Sequence, residues 1–176
     1  FCYERRIHAL RAGLRLACLA GMVAALGGLG VALAANAVHA VRGYASVSRN
    51  FYGVLRVAEY NAHDPEKHYV NLSHGRISHG WQFTDPQKRR LPTSYYGRQS
   101  GVGLLLENIP RRSGLRVGVV GLGTGTLAAY GRRGDVYRFY EINPEVERLA
   151  RRRFTYLADS AARCEVVLGD ARLSLE

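Results

Sequence analysis

Val117-Gly118-Val119-Val120-Gly121-Leu122-Gly123-Thr124-Gly125-Thr126 decides how the rest of the chain is read. A β-branched run enters a loop with glycine at every second position, and a helix-compatible segment follows. Glycine between a strand and a helix lets backbone approach a ligand closely and aims amide N–H groups at it. Glu141 ends a second apolar run, and Gly169-Asp170 follows a third. The dinucleotide fingerprint G-x-G-x-x-G would need glycine at position 126, where Thr126 stands, so Gly121, Gly123 and Gly125 read as G-x-G-x-G. A carboxylate at position 141 can accept from both hydroxyls of a ribose. A purely structural turn explains the glycine loop taken alone; three successive strand ends of this kind argue for a nucleoside site at the carboxyl edge of a parallel sheet.

Working outward, residues 115–121 form a nearly continuous apolar strand of the kind buried on both faces of a parallel sheet. Residues 125–132 read as a short helix, 135–142 as the second strand and 164–168 as the third. Asn143-Pro144-Glu145 starts a helix, with Asn as cap, Pro at the first position and carboxylates in the first turn. Arg151-Arg152-Arg153 complements its C-terminal end, and Val146, Leu149, Ala150 and Phe154 form its buried stripe. Upstream, Thr93 or Ser94 can cap a helix in which Val102, Leu105, Leu106 and Ile109 recur at helical spacing until Pro110. Residues 111–114 read as a turn, and 85–92 as a charged, proline-bounded loop.

Before that loop the pattern changes to strands. Residues 51–59, 68–72 and 76–83 suggest an antiparallel sheet of about three strands. Ser73-His74-Gly75 is the hairpin signal and Asp64-Pro65-Glu66-Lys67 a turn. Residues 43–50 read as a short polar connector.

The first part of the chain differs again. Glu4-Arg5-Arg6, Arg11 and Arg15 precede a charge-free run from Leu16 to Val41, broken only by Asn36 and His39. A helix of this length exceeds the ~30 Å hydrocarbon core of a bilayer. Gly21, Gly27, Gly28 and Gly30 suit close packing between membrane helices. A transmembrane helix over about 14–41, a signal peptide with a cleavage-like Ala35-Asn36-Ala37, and a buried soluble helix are the three readings. Arginines flank both ends, so the positive-inside rule does not orient it. The domain plan is thus a membrane segment at 1–43, a small β-domain at 44–92 and a nucleoside-binding domain at 93–176.

The formal charge of +11 comes largely from arginine, because Lys67 and Lys88 are the only lysines. The arginines are scattered without a recognition helix or stacking motif, so nucleic acid is not the expected partner. Three cysteines, Cys2, Cys18 and Cys164, have neither an even count nor metal-ligand spacing. The six histidines do not suggest a metal site either: His74 and His79 differ by an odd number, which along one strand would point them to opposite faces.

Gly121-Leu122-Gly123-Thr124-Gly125, Tyr140-Glu141-Ile142-Asn143 and Gly169-Asp170-Ala171 resemble the nucleoside-binding signatures of the spermidine synthase family. That family has the S-adenosylmethionine methyltransferase-like fold. The stretches from Leu72 to Phe83 and from Pro92 to Gly97 resemble its N-terminal β-domain and the link to its catalytic domain. The likeness covers roughly 44–176 and is greatest to bacterial membrane-fused spermidine synthase-like proteins. It implies an α/β architecture: a truncated Rossmann-like, class I methyltransferase-like parallel sheet, preceded by a small antiparallel β-domain and an N-terminal transmembrane helix. It implies aminopropyl transfer from decarboxylated S-adenosylmethionine, a co-substrate and not a resident cofactor, to a di- or polyamine. Gly121, Gly123, Thr124 and Gly125 would hold the nucleoside, Glu141 the ribose, and Asp170 would lie beside the adenine. Gln82 would reach the donor and Tyr96 the acceptor amine. Exposed-strand and packing roles are the alternatives for Gln82 and for Tyr95 and Tyr96.

Two departures shape the expectation. Family members usually carry an acidic residue inside the glycine loop, facing the cationic chain of the donor, and here Thr124 stands there. S-adenosylmethionine with methyl transfer is therefore the alternative donor and reaction, and a non-catalytic nucleoside- or polyamine-binding membrane sensor a third reading. The family's catalytic aspartate follows a fourth sheet strand and is expected beyond Glu176, so residues 1–176 alone are expected to be inactive. The cell membrane, with the soluble part in the cytoplasm where the co-substrate is made, is the expected location. The sequence leaves the oligomeric state open, a homodimer included.

Overall fold

Apolar residues without periodicity, free of internal charge, favour a helix with no solvent-facing side, and α1 runs through Cys2–Val41. The computed structural model describes residues 2–110 and 114–175, with side chains from residue 13 onward. It divides into two units, Phe1–Arg42 and Gly43–Glu176. Within α1, Gly13–Val41 spans 29 residues, reaches a mean hydropathy of 2.2 and buries none of its surface. At ~1.5 Å per residue that stretch is about 43 Å long, enough to cross a bilayer with tilt. Length and composition license that much, and a signal sequence near an N-terminus meets the same test.

The second unit is a mixed α/β structure with two sheets. The first is antiparallel in the order β1-β2-β3-β4, formed by Ser46–Asn50, Gly53–Tyr60, Tyr69–His74 and Ile77–Phe83. It has four strands where about three were expected, because the supposed connector pairs with β2 from Ser46↔Val57 to Asn50↔Gly53. β1 is an edge strand of Ser, Arg and Asn with a single valine, so the alternation that marks a half-buried strand is missing. The β3–β4 hairpin turns through Gly75 and Arg76, with Gly75 at φ 61 supplying the positive angle a tight hairpin requires. The expected turn at 64–67 forms, with Asp64 Oδ1 accepting from the Glu66 N–H at 3.1 Å.

β4 contains one extra residue. Ser73 pairs with Ser78, but Leu72 pairs with Gly80, so His79 stands unpaired in a β-bulge.

The second sheet is parallel, in the order β5-β6-β7, formed by Arg116–Val120, Val136–Glu141 and Arg163–Leu168. β5 is not covered on both faces: Val117 and Val119 are half-buried, while Val120 is 74 % exposed. β5 lies at the sheet's edge, and among the described residues nothing covers that second face. Asp135 is buried at the start of β6, where its two oxygens accept from the Leu115 N–H at 2.8 Å and the Arg132 N–H at 2.9 Å. That carboxylate ties the turn before β6 to the start of β5.

Helix α3, Pro144–Arg153, has the expected signals: the Asn143 side chain accepts from the Glu145 N–H, Pro144 stands at the first turn, and three arginines close the last. Its apolar stripe serves two cores. Leu149 and Phe154 pack with Leu55, Val57, Val70 and Leu72 of the antiparallel sheet. Ala150 packs with Tyr137 and Phe139 of the parallel sheet, beside Leu122, Leu127 and Tyr156. α3 is therefore the shared layer between the two sheets.

The expected helix from 93 to 109 is instead two pieces, a 3₁₀ turn at Ser94–Tyr96 and helix α2 at Gly101–Asn108. Ser100, not Thr93 or Ser94, caps α2 by accepting from the Gly103 N–H at 3.1 Å. Thr93 Oγ1 is diverted to the Trp81 carbonyl. Leu106 is buried, whereas Leu105, expected on the buried stripe, is exposed. Gly103 explains the tilt of the stripe: a Cβ there would meet the Tyr130 hydroxyl at 2.7 Å, so α2 presents this residue to the core. The segment expected as a helix at 125–132 is a 3₁₀ helix at Thr126–Tyr130. Short helices α4, Tyr156–Asp159, and α5, Ala171–Leu175, flank β7. Of the expected turn at 111–114, residues 111–113 lie outside the described residues, as do the side chains of Glu4, Arg5, Arg6 and Arg11.

Candidate functional site

Three glycines of the loop after β5 have positive φ: 89° at Gly121, 56° at Gly123 and 83° at Gly125. Side chains with a Cβ resist that region by about 1–2 kcal/mol per residue, so alternate glycine is what permits the loop's path. Gly123 has a second reason. A Cβ there would stand 2.7 Å from the carbonyl oxygen of His79, so the loop and the β4 bulge touch backbone to backbone. Gly80 completes the joint from the other side, since a Cβ on it would collide with the Thr124 hydroxyl.

Glu141 holds the loop's other flank. It is 7 % exposed, its Oε2 accepts from the Leu122 N–H at 2.9 Å, and its Oε1 accepts from the Asn143 N–H at 2.9 Å. One carboxylate thereby clamps the glycine loop to the start of α3. Each oxygen retains a further lone pair for a ligand hydroxyl. Asn143 Oδ1 also accepts from Asn50 Nδ2 at 2.6 Å, which joins the β1–β2 hairpin to the same corner.

A cavity of about 420 Å³ opens at this corner, a size within the ordinary range for small-molecule sites. Gly121, Gly123, Glu141 and Asn143 line it, together with His74, His79, Tyr52, Tyr95 and Tyr96. Leu55, Leu72, Val120, Ile142 and Val146 supply its apolar floor. Tyr95 and Tyr96 have ring centroids 4.4 Å apart. Burial, and then a hydrogen bond that the Tyr96 hydroxyl donates to Tyr95, pushes the Tyr96 phenol up to about 12.

The two histidines line the same cavity, contrary to the parity expectation. Parity along one strand does not apply across a hairpin, where facing residues belong to paired positions; His74 pairs with Ile77, and the ladder returns His79 to the side occupied by Leu72 and His74. Their ring centroids are 5.7 Å apart. Burial lowers the pKa of His79 below its ordinary value, the neighbouring His74 lowers it further, and Glu141 opposes both. Among the described residues no three of His, Cys, Asp or Glu gather as metal ligands.

Four of the residues singled out in the sequence thus face one cavity: Tyr96, Gly121, Gly123 and Glu141. Four others lie elsewhere. Thr124 is 1 % exposed and hydrogen-bonds Thr126, hydroxyl to hydroxyl, at 2.8 Å. Gly125 packs against Leu157 and Tyr156. Gln82 is 4 % exposed with its amide fully used: Nε2 donates to the Arg89 carbonyl at 2.7 Å and to Thr155 Oγ1 at 2.9 Å, and Oε1 accepts from the Thr155 N–H at 2.8 Å. Asp170 is exposed and accepts from the Arg172 N–H at 2.8 Å, starting α5. The residues that the sequence did not nominate are His74, His79 and Tyr52. Histidines on both sides of a two-residue hairpin turn were the available signal.

Comparison with protein-family models, with curated proteins and with solved structures finds no match to this chain.

Proposed function

We propose that this chain belongs to a membrane-anchored transferase that uses a sulfonium nucleoside as donor, in the manner of a spermidine synthase. The observation that carries the reading is the clamp: a glycine loop at the carboxyl end of β5 and a buried carboxylate at the end of β6, both facing one cavity. The parallel order β5-β6-β7 supports a Rossmann-like, methyltransferase-like sheet, whose ligands sit at the carboxyl ends of the strands. Glu141 accepts from the ribose hydroxyls, and the backbone at Gly121 and Gly123 lets the nucleoside lie flat against the loop. The acceptor's nitrogen lone pair attacks the carbon bonded to the sulfonium. A carbon–nitrogen bond forms, the carbon–sulfur bond breaks, its pair stays on sulfur, and a proton leaves the nitrogen. The sulfonium is its own leaving group, so the protein contributes mainly position. In the spermidine synthase-like version the group is aminopropyl and the acceptor a di- or polyamine. The soluble unit faces the cytoplasm, where such donors are made.

One observation favours a second reading, methyl transfer from S-adenosylmethionine. Among the described residues Glu141 is the single carboxylate lining the cavity, both of its oxygens already accept backbone N–H groups, and Thr124 is buried away from it. With Glu141 on the ribose, no second carboxylate among the described lining residues remains to compensate the ammonium of an aminopropyl chain. Equilibrium binding of both donors to the full-length protein separates the readings. Tighter binding of the decarboxylated donor supports aminopropyl transfer, and tighter binding of the carboxylated one supports methyl transfer. Failure to bind either overturns both.

A further inference from the structure

The bulge in β4 contributes a side chain as well as a backbone joint. An extra residue in a ladder re-aims a side chain, and here the extra residue is His79. Its carbonyl oxygen is in contact with Gly123, and the residue lines the same cavity as Glu141, whose charge its imidazole feels. The residue is half-buried and shares the cavity with Gly121 and Gly123 of the glycine loop.

We propose that His79 is the group that takes the proton from the attacking acceptor. This rests on the transferase reading, and holds for either donor. In the step, the acceptor heteroatom forms its bond to the sulfonium-bound carbon, the carbon–sulfur pair goes to sulfur, and the acceptor's proton passes to the lone pair of an imidazole nitrogen of His79. The protonated imidazole returns the proton to water through the cavity mouth.

The surroundings favour the neutral, proton-accepting form. The titratable groups facing His79 are His74 from β3, Glu141 from the end of β6, and the phenols of Tyr52, Tyr95 and Tyr96. Burial and the adjacent His74 keep protonation of His79 below the ordinary histidine range, with Glu141 opposing. A base should be unprotonated at working pH and within reach of the proton it takes.

Two readouts on the full-length protein test the assignment. The first is the imidazole titration of His79, followed by NMR with and without donor, using His79→Gln to identify its signal. Binding of the positively charged sulfonium donor shifts the His79 titration to lower pH. Binding of its neutral thioether product shifts it less. The second is turnover. His79→Gln binds the thioether nucleoside within about two-fold of wild type, yet loses about 10²-fold or more in rate, the scale of general-base catalysis. The acidic limb of the pH–rate profile disappears with it. Wild-type protein that binds the donor with an unmoved His79 titration overturns the base alone. So does a His79→Gln rate within a few-fold of wild type. Wild-type protein that binds no sulfonium nucleoside overturns the transferase reading, and the base falls with it.

Discussion

Replacing Glu141 by Gln tests whether the carboxylate organises the loop before any ligand arrives. Its two oxygens accept from Leu122 and Asn143, each at 2.9 Å, in a site 7 % exposed. Hydrogen bonds to a charged group contribute about 1.5–3 kcal/mol each, and a buried donor left without an acceptor costs about 1–3 kcal/mol. Gln keeps one acceptor and turns an NH₂ toward the other backbone N–H. The expected loss is therefore about 2–4 kcal/mol, or roughly 4–16 °C for a chain of this size. Thermal unfolding of ligand-free, full-length protein can be followed by circular dichroism. Glu141→Asp has the charge but a side chain one methylene shorter, and should lose one of the two contacts. If Glu141→Gln melts within about 1 °C of wild type, the clamp contributes nothing to the empty site and the argument for a preformed cradle fails.

Further expectations concern the joints around that cradle. Gly121 and Gly123 both have positive φ, but a Cβ at Gly121 meets nothing while one at Gly123 meets the His79 carbonyl. Gly121→Ala should cost about 1–2 kcal/mol from backbone alone, and Gly123→Ala clearly more; equal unfolding midpoints would deny the contact between loop and bulge. Gln82→Ala strips the partners from the Arg89 carbonyl and the Thr155 N–H, and should destabilise by about 2–4 kcal/mol in urea, with nucleoside affinity little changed because the amide does not face the cavity. Tyr156 donates to the Leu91 carbonyl at 2.9 Å, and burial, opposed by hydrogen bonds from Thr93 and Thr126, pushes its phenol up to about 12. The folded state then keeps a proton that the unfolded chain releases near pH 10. That stabilisation is fully present below pH 10 and is lost as pH climbs to about 12, on the order of 2–3 kcal/mol. Tyr156→Phe should flatten the alkaline fall in stability measured by urea unfolding at stepped pH; an unchanged slope contradicts it.

What could be read from the residues alone follows from how local each signal is. The α3 cap, its proline and its charge gradient are written in consecutive residues, and each stands where expected. The strand–glycine–strand pattern likewise gave the parallel order, since βα connections are short and regular. β1 escaped because an edge strand needs no apolar alternation. Thr93 and Ser94 misled because a hydroxyl that could cap a helix found a carbonyl across the fold instead. Gln82 and Thr124 are polar residues whose type suggested ligands, but their partners are other parts of the chain, separated by up to 73 positions. The histidine pair was hidden by the bulge and the hairpin, which only pairing register reveals.

The bulge also makes part of this structure separable. Deleting His79 alone would leave every remaining pair in β3 and β4 with the partner it already has, because that residue has none in the ladder. The strand would straighten by the ~3.3 Å that one extended residue occupies, drawing Gly80 back from Thr124 and opening the seam with the loop. A single-residue deletion should therefore be milder for the sheet than for the cavity. The insertion works as a shim: the sheet can be built without it, and the wall facing the glycine loop cannot.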